Sequence, residues 1–286
     1  MLCPYEEKTL IRENRTWQRV LAFALVCAAA VAVCALRAAP QVTVAHSQGI
    51  LHGWLVVRSE DGEAIADGEL TQIARGDRVT VRMALHFKDG SLQDETTEYS
   101  QRGRLMLISD HMIQKGPSFK HAIDMAVDRA SGNVTVISTD DSGKPKKSVQ
   151  KMALPPDLAN GMVPTLVQES VGSAAKITGS MVVATPKVRL VKLVITPQGE
   201  ESFSTGAASH KAMQYSVHID IGGVAGAVAP MVGKQPPDIH IWIAQGEAPM
   251  FVKMEGPMFE GGPVWKVELA SPVWPKGAGQ ESKAGR

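Results

Sequence analysis

The chain has 286 residues, of which 44% are hydrophobic and 21% are charged, a composition typical of folded globular proteins. Its formal net charge is +1, and the 25 basic and 26 acidic residues after position 40 nearly cancel. A nucleic-acid-binding protein is therefore disfavoured, because phosphate contacts need a basic excess. The three cysteines, Cys3, Cys27 and Cys34, all lie in the first 40 residues, which excludes disulfides and cysteine metal sites from the remaining body.

An apolar leader precedes the body. Residues 20–36 are 17 consecutive apolar residues, which as a helix would span about 25 Å against a bilayer core of about 30 Å. The segment 1–19 before them is basic, with Lys8, Arg12, Arg15 and Arg19. This asymmetry predicts a cytoplasmic N-terminus and an exported body, in the periplasm or an equivalent space.

Two interpretations of the leader remain open. In the first it is a signal-anchor that holds the protein in the inner membrane by a single span. In the second it is a signal peptide that is cleaved after residues 43–45, which releases the body. The long 1–19 segment and Arg37 just beyond the apolar run favour the anchor. A lipoprotein signal is disfavoured because Val33 precedes Cys34, and a buried core helix is disfavoured by the basic flanks.

The body, residues 41–274, shows the alternation of apolar and polar residues that indicates half-buried strands. Turn residues at 60–62, 88–91, 116–117, 131–133, 141–147 and 197–200 separate them. Residues 64–76 are ambiguous between helix and strand. The predicted strands are 50–57, 78–87, 92–100, 105–112, 122–127, 134–138, 148–153, 176–184, 188–196, 212–221, 238–244, 251–255 and 264–269.

The pattern predicts a mainly β (α+β) fold, a curved antiparallel sheet or half-barrel with one or two helices. The one clear helix candidate is 156–169, which Gly161 and Pro164 make short or broken. No strand alternates with helices and no Gly-rich βα turn occurs, so a parallel nucleotide-binding sheet is disfavoured. The polar strand 92–100 is expected at an edge or with an exposed face, with solvated acids such as Glu95. The tail 275–286 is expected to be disordered.

A long apolar loop is the first candidate site. Residues 222–237 are rich in Gly and Pro yet apolar, so they are expected to pack as a buried loop or to cover an apolar cavity. The 13 methionines suit surfaces that accept varied apolar ligands, and equally fill gaps in a core. The predicted ligand-binding residues are Val224, Val228, Met231, Val232 and Trp242.

A cluster of histidine and aspartate is the second candidate. If strands 215–221 and 238–243 pair so that opposed positions add up to 458, Asp220 faces Asp238 and His218 faces His240. Two imidazoles and two carboxylates on one face suit Zn²⁺ or a similar divalent ion. An ordinary solvated sheet face is the alternative interpretation. No other cofactor is predicted.

Catalysis is disfavoured elsewhere in the chain. The other histidines lack a metalloprotease spacing, and no serine lies in a nucleophile elbow. A metal-dependent hydrolase using His218 and His240 is the only enzymatic alternative.

A series of short motifs in the second half carries a resemblance to a known family. The series includes Pro186-Lys187 before VRLVKLVI, Gly199-Glu200, the strand 211–215 (KAMQY), Ile241-Trp242-Ile243, and 248–253 (APMFVK). Their order over residues 176–270 resembles an uncharacterised bacterial periplasmic family related to the lipoprotein carriers of the LolA and LolB type. The resemblance implies a strongly curved antiparallel sheet whose apolar concave face is covered by helices. The long loop, the single clear helix and the leader depart from that pattern.

Together these features predict a non-catalytic cell-envelope protein that binds an apolar ligand, a lipid or lipoprotein, on a curved β-sheet. A protein-interaction or scaffold domain of an envelope complex, docking through exposed strands, is the alternative.

Overall fold

Period-two alternation builds almost the whole body from strands. The computed structural model describes residues 42–139, 144–184, 187–222, 235–246 and 248–273. One helix, α1 (Val163–Gln168), follows a 3-10 turn at Asn160–Met162. The strands are β1 (Leu51–Arg58), β2 (Ala64–Arg75), β3 (Arg78–Phe87), β4 (Leu92–Ser100), β5 (Met106–Lys115), β6 (Ile123–Asp128), β7 (Asn133–Thr139), β8 (Pro145–Lys151), β9 (Ile177–Val183), β10 (Arg189–Thr205), β11 (Ala208–Asp220), β12 (Ile239–Ala244), β13 (Met250–Pro257), β14 (Val264–Leu269) and β15 (Pro272–Val273).

All strands belong to one antiparallel sheet, as predicted. Its order is β15-β10-β11-β12-β13-β14-β1-β2-β3-β4-β5-β6-β7-β8, with β9 also paired to β10. Two meanders, β1 to β8 and β10 to β14, are joined where β14 pairs with β1. The sheet is open, with β8 at one edge.

Curvature brings distant strands around one core. The 3-10 turn contacts β4, β5 and β9, and α1 contacts β12 and β13, although five strands separate β12 from β4 in the sheet. Apolar side chains from both meanders form a single buried cluster on this inner face. We call residues 160–168, which pack against the inner face, the plug.

The plug is shorter than the predicted helix 156–169. Pro164 lies in the first turn of α1, where a missing N–H is tolerated. Asn160 precedes it with a φ of 39°, a conformation that asparagine accepts better than most residues. Its side chain accepts a hydrogen bond from the Val182 N–H and donates one to the Val182 C=O. The turn is therefore fastened to β9 as well as to the inner face.

The predicted turn at 197–200 was wrong, because strand β10 runs through these residues. The strand continues through Pro197 with a bulge between Pro197 and Gly199, and the chain reverses only after Thr205. A proline cannot donate to a ladder, and a bulge is one of the places where sheets accept it. The ambiguous segment 64–76 is resolved as strand β2.

Strand β4 is a central strand with one solvent-facing side, so of its two predicted positions the edge was wrong and the exposed face is confirmed. It lies between β3 and β5, and its inner-facing residues Gln93, Thr97 and Tyr99 are buried. Its outer residues are polar and pair across the sheet, as Asp94 does with Arg82. A polar sequence in the sheet centre is possible because its inner side chains are hydrogen-bonded. Gln93 accepts from Gln114 of β5 and Thr97 donates to Asp110 of β5. Tyr99 accepts from Thr165 of the plug.

The first described residues are held along the β4–β5 loop. Val42 accepts a hydrogen bond from the Leu105 N–H, and Val44 donates one to Gly103. The buried Glu169 carboxylate accepts hydrogen bonds from the backbone N–H groups of Ala45 (2.6 Å) and His46 (3.0 Å). Across the described residues, no helix is long and apolar enough to cross a membrane, and the predicted leader 20–36 lies outside them.

Candidate functional site

The predicted ligand-binding residues fall in two groups. Val224, Val228, Met231 and Val232 lie outside the described residues. Trp242 is described and is only 4% exposed. It faces away from the main core and packs in a small second cluster with Phe203, Ala212 and Val252. The ammonium of Lys253 lies 3.8 Å from the centre of the indole ring, an arrangement that stabilises both groups.

The predicted metal cluster is built on a different register. Opposed positions of β11 and β12 add up to 456, so Ser216 faces His240 and Tyr215 faces Ile241. The predicted sum of 458 was wrong. His240 lies opposite Ser216 and not His218, and Asp238 lies beside His218 and not opposite Asp220. A shift by two residues keeps every side chain on its predicted face, because side chains alternate with period two. The connection between these strands is too long to determine their register by turn geometry.

The shifted register forms a hydrogen-bonded triad instead. His218 Nδ1 lies 2.8 Å from Asp238 Oδ1, and the Ser216 hydroxyl donates to Asp238 Oδ2 at 2.7 Å. Burial raises the pKa of Asp238, but the hydrogen bonds from Ser216 and His218 outweigh it, so the pKa lies below its ordinary value. His240 contacts Gln214, and Asp220 accepts from the Gly222 N–H. Within the described ranges, no group of three or more His, Cys, Asp or Glu is placed to hold a metal.

An apolar cleft opens where strand β14 ends. On the β14 side, β1 pairs over Leu55–Arg58, and the Trp54 C=O accepts one further hydrogen bond from the Ala270 N–H. Strand β13 is paired with β14 only from Lys253 onward. The first half of β1 and the start of β13 therefore border a gap in the sheet. This gap is a cavity of about 390 Å³ lined by Leu51, His52, Gly53, Trp54, Leu70, Met250, Phe251, Leu269, Ala270 and Ser271. We call it the apolar cleft.

The rim of the apolar cleft exposes large apolar side chains. Trp54 is 65% exposed and Met250 is 36% exposed. His52 packs edge-on against the Trp54 ring with centroids 5.0 Å apart, and its Nε2 lies 3.2 Å from Glu69. Gly53 leaves room at the cleft, since a Cβ there would meet Leu269 at 2.8 Å. The cleft thus presents an apolar interior beside an exposed indole.

Sequence reasoning missed this cleft, although a signal was present. The segment 50–57 carries apolar residues on both faces, with Leu51 and Leu55 on the inner face and Ile50 and Trp54 on the outer one. A strand with one wet face should alternate. Apolar residues on the wet face of β1 therefore predict that something besides water covers it.

A buried polar cluster lies beneath the plug. The Thr97 hydroxyl donates to Asp110 Oδ1 at 2.7 Å, and Asp110 is only 1% exposed. Asp110 Oδ2 has no hydrogen-bond partner among the described residues. Part of the Glu95 surface reaches solvent, whereas its carboxyl carbon lies 2.9 Å from where a Cβ of Gly161 would be.

Both carboxyl groups of this cluster titrate abnormally. Burial raises the pKa of Asp110 to about 6, against the lowering effect of hydrogen bonds from Thr97 and Gly161. Burial and the nearby Asp110 charge raise the pKa of Glu95 well above its ordinary value. A neutral carboxyl costs less to bury than an ionised one. The predicted solvated carboxylate of Glu95 instead lies on the inner face beside the plug, because the curved sheet turns this face inward, although part of the residue still reaches solvent.

Comparison with known proteins identifies one structure of similar outline. No family model matches the chain, and no curated protein matches it. A crystal structure described as a beta-barrel-like protein of domain of unknown function DUF1849, from Brucella abortus, is similar over 81% of this chain and 100% of that chain. The TM-score is 0.40 and the sequence identity is 10%. At this level of similarity the fold rests on the strand pairing of the chain itself, and a relation to the LolA and LolB carriers is not shown.

Proposed function

We propose that this chain is a non-catalytic cell-envelope protein that binds an apolar ligand, a lipid acyl chain, in the apolar cleft. The observation that carries the proposal is the gap between β1 and β13, which is lined by apolar side chains and bordered by the exposed Trp54. Ligand pockets of this size are typically apolar with a few polar groups that orient the ligand.

The lining of the cleft favours an acyl chain over a charged ligand. His52 is the only ionisable residue among the ten that line it. Leu51, Leu70 and Leu269 supply the interior, and Met250 at the rim is adaptable to ligands of different shape. A polar headgroup would find Ser271 and His52 at the mouth.

The cleft, rather than the whole concave face, is the favoured location. The inner face of the sheet packs against the plug and forms one continuous buried cluster. A ligand on that face would have to displace the plug, whereas the cleft is already open at the end of the sheet.

The envelope location rests on the leader. The apolar run 20–36 after a basic segment supports a single inner-membrane span with the body in the periplasm. A cleaved leader would leave the same body free in the periplasm. In either case the body reaches a compartment bordered by lipid.

Photolabelling tests the proposal directly. The full-length chain is extracted in mild detergent and exposed to a fatty acid that carries a photoreactive diazirine, and labelled peptides are mapped by mass spectrometry. We expect labelling of peptides that contain residues 51–54 and 250–252, and lipid-bound masses in native mass spectrometry. The Leu51→Asp variant should reduce both signals at least tenfold, since it places a charge in the cleft.

The matched control is Leu190→Asp. Leu190 is a partly exposed leucine on β10, outside the residues that line the cleft, and its variant should keep both signals within twofold. Equal labelling of the two variants, or the absence of any bound lipid in the unaltered protein, contradicts acyl-chain binding.

A scaffold function is the second proposal, and edge strand β8 favours it. All seven residues of β8 are exposed, and on one side the strand has no partner among the described strands, with Val149 57% exposed. A partner strand could pair with this edge, although Lys146 and Lys147 are the kind of residues that block such pairing. Site-specific crosslinking from position 149 in intact cells should capture a stoichiometric protein partner if this function is correct, and none if it is not.

A further inference from the structure

Exposed apolar side chains concentrate at one end of the sheet. Across the described residues, seven large hydrophobic side chains are exposed, and only Val149 and Leu190 lie elsewhere. The other five are Ile50, Trp54, Ile73, Met106 and Met250. Scattered exposed apolar residues are normal, but a group on one end of a domain indicates an interaction surface.

Strand register places these residues together. Leu51 pairs with Gln72, Arg78 pairs with Ser100, and Thr43 bridges to Arg104. The start of β1, the β2–β3 turn and the β4–β5 loop therefore share one end of the sheet. Met250 joins them because it lines the apolar cleft with Trp54. We call this end, where the described chain begins, the Val42 end.

Arginines lie among the apolar residues at the Val42 end. Arg102 pairs with Asp77 at 2.6 Å, and Arg78 pairs with Glu98. Arg75 and Arg104 make no ion pair with any described residue. Arg104, Arg102 and Arg78 border a surface groove of about 700 Å³ that also includes Met106. Arginine beside exposed apolar groups suits a surface that presents both phosphate and hydrocarbon.

The length of the chain limits where a membrane can lie. Only the five residues 37–41 separate the predicted membrane segment 20–36 from Val42, and a chain of that length spans at most about 20 Å. Val42 is itself hydrogen-bonded to the β4–β5 loop. A bilayer that holds residues 20–36 must therefore pass close to the Val42 end.

We infer that the Val42 end rests on an anionic lipid bilayer. Ile50 and Trp54 enter the interfacial layer, where tryptophan is enriched in membrane proteins. Arg75 and Arg104 contact lipid phosphates, because a guanidinium group matches the geometry of phosphate oxygens. This contact does not require the apolar cleft to hold a ligand.

Tryptophan quenching in vesicles tests the apolar part of the surface. The full-length chain is reconstituted into phosphatidylcholine vesicles with brominated acyl chains, with and without phosphatidylglycerol. Bromine quenches an indole that enters the interface. We expect Trp54→Phe to remove a measurable part of the quenching, while Trp265→Phe, which alters a buried core residue, leaves the quenched fluorescence unchanged.

Neutralising the two arginines tests the charged part of the surface. In vesicles with phosphatidylglycerol, the double variant Arg75→Gln/Arg104→Gln should lower the Trp54-dependent quenching at least twofold. The control Lys146→Gln/Lys147→Gln removes two positive charges from exposed β8 and should leave it unchanged. In pure phosphatidylcholine the arginine variant should match the unaltered protein.

Two results would overturn the inference. The first is equal quenching of Trp54→Phe and unaltered protein. The second is quenching of Trp54 by aqueous iodide to the same extent with and without vesicles. Failure of the acyl-chain photolabelling with intact Trp54 quenching would remove the cleft ligand and keep the membrane contact. Acyl-chain photolabelling without Trp54 quenching would keep the cleft ligand and remove the membrane contact.

Discussion

Two strand pairs in this sheet carry the same hydrogen bond in opposite environments. On β4 and β5, the Thr97 hydroxyl donates to Asp110 at 2.7 Å. Between β11 and the residue just before β12, the Ser216 hydroxyl donates to Asp238, also at 2.7 Å. The first aspartate lies on the inner face under the plug, and the second lies on the outer face beside His218. Their pKa values move apart, upward for Asp110 and downward for Asp238.

The neighbours of the two carboxyl groups explain this difference. Asp110 is almost fully desolvated, so its charged form is disfavoured even though Thr97 and Gly161 donate hydrogen bonds to it. Asp238 keeps contact with solvent and has an imidazole as its neighbour, so the charged form is favoured. A hydrogen bond from a hydroxyl group therefore does not by itself determine whether a carboxyl group is charged. Burial and the neighbouring groups determine it.

The largest expected effect comes from Gly161, which lies over Thr97, Asp110 and Glu95. We call the two acids Asp110 and Glu95 the inner pair. A side chain there would overlap the Thr97 hydroxyl and approach Asp110 Oδ1 and the Glu95 carboxyl carbon at 2.9 Å. We expect Gly161→Ala to lower the free energy of unfolding by about 3 kcal/mol, since the neighbours are buried and cannot move freely. Thermal or urea unfolding measures it.

Gly199→Ala is the matched control, because a Cβ at Gly199 meets nothing within 4 Å. That variant should change the free energy of unfolding by less than about 0.5 kcal/mol. Equal effects of the two substitutions would show that the plug does not press on the inner pair.

The second prediction concerns pH. A carboxyl group whose pKa is raised in the folded state binds its proton more tightly there than in the unfolded chain. Its contribution to stability is present below the unfolded pKa of about 4 and is lost as pH rises through the folded pKa, which is about 6 for Asp110. Unfolding followed between pH 4 and pH 7 should therefore show stability that falls with rising pH from this pair.

Replacing one acid of the inner pair should reverse part of that loss. Glu95→Gln removes a like charge near Asp110, and we expect a gain of about 1–2 kcal/mol in the free energy of unfolding at pH 7.5. The adjacent Asp94→Asn removes an exposed acid that pairs with Arg82 and should cost less than about 0.5 kcal/mol. A loss of stability in Glu95→Gln would show that the Glu95 carboxylate is ionised and satisfied.

The smallest effect is expected for His218 and Asp238 on the outer face, which we call the outer pair. The side chains of His218 and Asp238 are 47% and 40% exposed, and solvent screens such pairs, so His218→Ala should cost at most about 0.5 kcal/mol at pH 7. The lowered pKa of Asp238 gives stability that is present above its unfolded pKa of about 4 and is lost as pH falls below it. The outer pair thus weakens in acid, where the inner pair strengthens.

Metal content of the protein tests the hypothesis of a divalent metal site at His218 and its neighbours. Because His218 faces Asp238 and not His240, we expect equal metal content in purified unaltered protein and in His218→Ala/His240→Ala. Loss of a stoichiometric metal from the double variant would instead support the divalent site predicted at His218, Asp220, Asp238 and His240.

The amino-acid pattern by itself determined most strands and the face on which each side chain lies. Tyr215, Val217, Ile241 and Ile243 are buried as their alternation predicts, because period two is a local property of an extended chain. The turn at Asp89-Gly90 follows for the same reason, since its conformation depends on neighbouring residues.

Only the tertiary structure decided which residues meet. The register of β11 against β12, the inward position of the Glu95 carboxyl group and the apolar cleft each depend on strands that lie far apart in the sequence. Side-chain alternation is unchanged by a shift of two residues, so it could not distinguish a sum of 458 from 456. Curvature then turned one polar strand inward under the plug and left a gap beside Trp54, because a sheet wrapped around a core must bury what it surrounds.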